Sequence, residues 1–169
     1  MTTLHIQTTV EDHRIAWFTA LAITIHIIES ALPSPLPGLK PGLANVVTIT
    51  VLSLYGWKTA AWVSMLRVIA GSLILGTFLS PTFLLSLSGA VCAILALFVA
   101  SAVPGKGFGP MGFSLLAALA HMAGQVTVAW LVFVPHPGIW TLFPILMSFA
   151  VVLGAINGLI SLHVLKRLI

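Results

Sequence analysis

From Thr82 to Val103 the chain carries no charged residue, and comparable apolar runs lie on either side of it, divided by short clusters rich in proline and glycine. Runs of this length match the roughly 20 residues that cross a bilayer as a helix. They are continuous rather than alternating, which favours helices over a lipid-facing barrel. Backbone groups cannot go unpaired in lipid, so a spanning chain of this kind must be helical. Only 6% of the 169 residues are charged and 59% are apolar, against about a quarter charged in soluble domains. The expectation is an all-α integral membrane protein, one domain over residues 1–169 with a polar tail at 1–12.

The punctuation predicts six transmembrane helices, near 13–32, 43–55, 59–79, 82–103, 113–134 and 140–165. The second is short, about 20 Å at the helical rise against a hydrocarbon core of about 30 Å. Either the bilayer thins there, or the chain before it enters the membrane and fills the missing depth. Arg14 ahead of an apolar run resembles a secretory signal, but no Ala-x-Ala site follows and Glu11 and Asp12 precede it, so the first helix is expected to stay. Arg14, Lys58, Lys106, Lys166 and Arg167 fall on one side of this topology and only Lys40 on the other. That bias places both termini in the cytoplasm of a multi-pass protein of the plasma (inner) membrane. Basic residues scattered at helix ends are topology signals, and no nucleic-acid partner is expected.

Between the first two helices, Pro33, Pro35, Pro37 and Pro41 remove backbone donors, while Gly38 and Gly42 permit turns closed to other residues. Glu29, Lys40 and Asn45 put an anion, a cation and an amide into this one span. Arg67 lies about 14 Å into the third helix, too deep to reach water easily. Two readings of Glu29 and Arg67 stand side by side: an ion pair tying helices 1 and 3 together, and a ligand site. His26 and Glu29 share one helix face, as do His121 and Gln125. A satisfied interior hydrogen bond suits the histidines better than metal ligation, which needs three or four converging ligands. Asn45 caps helix 2, binds a ligand, or does both; Asn157 is expected to bridge helices.

Small residues recur four apart at Ala16/Ala20 and Gly154/Gly158, with Gly71 near Gly76. They serve close packing inside the bundle or an outer face for a partner helix. Asp12 is the only aspartate and Glu11 and Glu29 the only glutamates, so no paired acidic cluster for magnesium diphosphate chemistry exists. Cys92 has no cysteine partner within the chain. No nucleophile set, phosphate loop or haem motif is present, and catalysis by this chain alone is not expected.

Glu29-Ser30, Pro-Leu-Pro-Gly-Leu-Lys-Pro-Gly-Leu-Ala-Asn (35–45), Leu-Arg-Val-Ile-Ala-Gly-Ser-Leu-Ile-Leu-Gly (66–76), Leu-Ser-Leu-Ser-Gly (85–89) and Ala-His-Met-Ala-Gly-Gln (120–125) resemble the Gx transporter family, also described as heptaprenyl diphosphate synthase component I. Pro41 departs from that pattern. The resemblance implies a six-helix bundle similar to the S components of energy-coupling factor transporters, which bind a small molecule outside and work with ATPase and scaffold subunits. It also implies a second setting, beside flavoproteins of quinone-linked electron transfer, and a third, as a non-catalytic component of a prenyl diphosphate synthase. The expected site has Lys40, Asn45 and Arg67 at a ligand's polar head, Glu29 pairing or gating, and His121 and Gln125 as wall, under a lid at 33–42. No intrinsic cofactor is expected; a bound quinone or prenyl lipid is the remaining candidate. Membrane lipids surround the chain.

Overall fold

The computed structural model describes residues 8–31, 42–103 and 108–168. Lys40, Lys106 and the proposed lid, apart from Gly42, lie outside the described residues. Six α-helices follow in order: α1 Val10–Ala31, α2 Ala44–Tyr55, α3 Trp57–Ile74, α4 Pro81–Ser101, α5 Pro110–Val128 and α6 Ile139–Leu168. A π-helical segment, Ala129–Phe133, extends α5. No strand occurs among the described residues. Four helices are long and apolar enough to cross a membrane: α1, α4, α5 with its extension, and α6. The protein is an all-helical membrane protein. Of the six expected spans, α2 with 12 residues and α3 with 18, which carries Lys58 and Arg67, fall outside that set of four.

Local chemistry moves two of the expected boundaries. Helix α1 starts at Val10 rather than near His13 because Thr9 and Asp12 form a capping box. The Asp12 amide donates to Thr9 Oγ1 at 3.2 Å, and the Thr9 amide returns a bond to the Asp12 carboxylate at 2.7 Å. Helix α3 stops at Ile74 instead of near Leu79. Gly76 adopts φ 67°, so that its N–H reaches the Leu73 carbonyl at 3.3 Å and the Thr77 N–H reaches that of Ser72 at 2.9 Å, a Schellman stop. Ser80 then caps α4 by accepting the Phe83 N–H at 3.3 Å, with Pro81 in the first turn.

Helix α2 sits at the centre. Ala44 and every residue from Val46 to Leu52 are buried, packed by α1, α3, α5 and α6. A helix apolar all round has no face to give to a polar surface, and here it forms the core. Ala22, Val63, Leu97 and Ala117, from four other helices, close around its Val47, Ile49 and Val51. The outward faces of the longer helices stay apolar, Trp17, Leu95, Val99 and Leu159 among them, as a lipid-facing surface requires.

The small residues divide between the two roles. A Cβ on Gly154 would come 2.9 Å from Ala118 Cβ, and one on Gly158 3.0 Å from Met111 Cα, so both let α6 close on α5. Gly71 makes room for the His26 ring. Ala16 and Ala20, by contrast, are exposed on α1.

Gly56 joins α2 to α3 at φ 85°, ψ 174°, a conformation essentially confined to glycine. A Cβ there would meet nothing within 4 Å, so the backbone alone resists substitution. Gly56→Ala is expected to cost about 2 kcal/mol, read as a lower melting temperature of the protein in detergent with its oligomeric state unchanged.

Candidate functional site

The start of α2 is held by side chains of other helices. Asn157 Nδ2 donates to the Gly42 carbonyl at 3.2 Å, and Ser161 Oγ to that of Val46 at 3.4 Å. Asn157 therefore ties α6 to the residue two places before α2, where a bridge from helix to helix was the expectation. From Asn157 helix α6 continues about 27 Å back to its own start at Ile139, at 1.5 Å per residue. The N-terminus of α2 thus opens in the middle of the layer formed by the long helices. That depth is in keeping with the short length of α2; the chain before Gly42, on which the two readings differ, lies outside the described residues.

A helix start leaves N–H groups unpaired, and at this depth water cannot easily satisfy them. The residue at the cap position is Leu43, whose side chain accepts nothing. Glu29 of α1 supplies the missing acceptors. Its carboxylate, 3% exposed, takes the Leu43 N–H on Oε1 and the Ala44 N–H on Oε2, the latter at 3.4 Å. A negative charge at a helix N-terminus is also favoured by the helix dipole. Asn45 does not make this cap: its side chain is not the acceptor, and its own N–H goes to the Gly42 carbonyl at 2.8 Å.

The bonds of Glu29 bear on one of its two readings, the ion pair with Arg67. Among the described residues Glu29 and Arg67 do not form one, although the Glu29 charge acts on Arg67. Glu29 bonds α2 instead, because the unpaired amides lie nearer its carboxylate. Arg67 is 6% exposed, and its Nε has no hydrogen-bond partner among the described residues. Three threonine hydroxyls, Thr19, Thr48 and Thr50, are buried in the same condition. Their signal in the sequence is a hydroxyl inside an otherwise apolar helix, too common a pattern to single them out.

The remaining candidates arrange themselves around Arg67 unevenly. His26 packs its ring on Gly71, one turn along α3 from Arg67, so α1 and α3 do meet through this face. His121 lies across α4, with Nε2 2.6 Å from where a Cβ on Gly89 would stand, and Arg67 is the charge acting on it. Only glycine at position 89 leaves space for that ring. Arg67, Asn45 and His121 lie about 15 Å from the basic ends of their helices by helical rise, the same level as the start of α2. Gln125 is half-buried one turn beyond His121, and no hydrogen bond among the described residues ties it to Arg67 or Asn45. Lys40 lies outside the described residues.

No group of three metal-ligating side chains converges among the described residues. What the arrangement offers is a buried guanidinium with an open donor, a carboxylate committed to backbone amides, and imidazoles to either side. A separate groove of about 440 Å³, bounded by Ser53, Pro110, Leu162, Leu165 and Lys166, opens at the basic end of the bundle, away from Arg67.

The family model described as heptaprenyl diphosphate synthase component I matches residues 18–164, a stretch that includes Glu29, Asn45, Arg67, His121, Gln125 and Asn157. No curated protein and no solved structure matches the chain.

Proposed function

The chain belongs to the heptaprenyl diphosphate synthase component I family, a membrane component of the Gx transporter type, and from that premise we propose that it is an S-component-like subunit that binds a small anionic or amphipathic molecule. All six helices lie in the plasma membrane, the five longer ones crossing it and α2 running from mid-depth to the basic side; both termini are cytoplasmic, and the pocket faces outward beneath residues 33–42. Arg67, Lys40 and Asn45 hold the polar head, Glu29 gates, and His121 and Gln125 form the wall.

The observation that carries the reading is Arg67. A buried guanidinium with an unpartnered Nε is costly in a membrane interior, and an anionic ligand group would offset that cost. A family named for a component also supports partner subunits, here an ATPase and scaffold pair. The exposed Ala16 and Ala20 are where a partner helix would approach closely.

Binding of vitamins, quinones and prenyl diphosphates to the purified protein tests the placement. Arg67→Ala is expected to weaken binding of the true ligand by about 30-fold or more, the loss of a charge-assisted contact of roughly 2 kcal/mol. Unchanged affinity in both Arg67→Ala and Lys40→Ala would overturn it. Co-purification of a flavoprotein in place of ATPase subunits would move the protein to the electron-transfer setting.

A further inference from the structure

Three observations meet at the start of α2. Its first amides, at Leu43 and Ala44, point into the protein interior; the acceptor they meet is a carboxylate lent by another helix, Glu29; and on α3, which packs on both α1 and α2, Arg67 lies at the same level by helical rise, 6% exposed, its Nε without a partner among the described residues. Helix N-termini bind carboxylates and phosphates readily, because free N–H groups and the dipole act together. We infer that Glu29 is the resident occupant of an exchangeable anion site, and that the carboxylate or phosphate of the ligand takes its place on the Leu43 and Ala44 amides with Arg67 as the charged donor. This deepens the binding reading above and rests on it.

Exchange is favoured over simple addition by electrostatics. A second anion beside Glu29 would meet strong repulsion in a low-dielectric interior, whereas replacing Glu29 keeps one negative charge on the amides. Glu29 is also placed to leave. It stands two residues from the end of α1, so a rotamer change withdraws its carboxylate without moving a helix axis. The other end of α2 stays anchored through the turn at Gly56, and Asn157 still holds Gly42 from α6. The arrangement selects for a compact anionic head, since the space to be filled is that of one carboxylate.

The test uses the full-length protein in detergent. Sodium acetate and inorganic phosphate are titrated at constant ionic strength, balanced with sodium chloride, against Glu29→Ala, and the melting temperature is read. A saturable rise of about 5 °C in Glu29→Ala, less than about 1 °C in the wild type, and none in the double variant with Arg67→Gln supports exchange. No saturable rise, or an equal rise in the wild type, overturns it. Should Glu29→Ala fail to fold, Glu29→Gln keeps the volume and an acceptor oxygen; it is expected to show the same Arg67-dependent rise, and its absence overturns the inference. If the rise is missing while ligand binding still depends on Arg67, exchange is rejected and the binding reading stands. Anion rescue with ligand binding indifferent to Arg67 rejects the binding reading, and with it the ligand exchange built upon it.

Discussion

Replacing Glu29 with alanine is expected to lower the melting temperature of the detergent-purified protein by roughly 10 °C. The carboxylate is 3% exposed and accepts the Leu43 and Ala44 N–H groups, and among the described residues no other side chain caps α2. An orphaned buried donor costs about 1–3 kcal/mol, and losing the charge near Arg67 leaves that guanidinium without its nearest buried countercharge. Water entering the vacated space recovers part of this, so a net loss near 3–4 kcal/mol is reasonable for a chain in which 1 kcal/mol moves the midpoint about 2–4 °C. Glu29→Gln retains one acceptor oxygen and should lose about half as much. Glu11 makes a useful contrast. It is exposed, with one 3.3 Å bond from Thr59, and its removal should shift stability by no more than about 0.5 kcal/mol. Equal melting of Glu29→Ala and Glu11→Ala would remove Glu29 from its place at the start of α2.

The second large effect is steric. A Cβ on Gly124 would lie 2.6 Å from Cys92 Sγ, 2.9 Å from Cys92 Cβ and 2.9 Å from the Ser88 carbonyl oxygen. The sulfur end can rotate aside, but the carbonyl is backbone and cannot, so α5 must move off α4 along one of the most extensive interfaces in the bundle. Gly124→Val should therefore cost about 3 kcal/mol or more, seen as a lower melting temperature and loss of monodisperse protein on size exclusion. Adding Cys92→Ala should restore only part of the loss, since the clash with Ser88 remains. Gly109→Ala is the control: nothing lies within 4 Å of its Cβ, and it should behave as the wild type. Because Gly124 sits between His121 and Gln125, the Val variant should also weaken ligand binding.

Much of this architecture is legible in the residues. Continuous apolar runs parted by proline and glycine specify helices and a membrane, since lipid tolerates little else. The expense of charge inside a membrane singled out Glu29 and Arg67, and both are buried. The helix ends were harder. The Thr9–Asp12 box and the Gly76 stop are short-range signals that the longer apolar runs conceal.

The bonds of Glu29 could not be read from the sequence at all. From the order of residues, a buried acid and a buried base on neighbouring helices look like an ion pair. Only the tertiary structure brings the bare amides of Leu43 and Ala44 to the carboxylate, because only packing places the start of α2 beside the middle of α6, where Asn157 meets Gly42. Composition by itself determined that this chain is helical and at home in a bilayer, because hydrogen bonding in lipid leaves few alternatives. Which polar groups meet inside depended on the depth at which the shortest helix begins, a distance set by the surrounding helices rather than by any local run of residues.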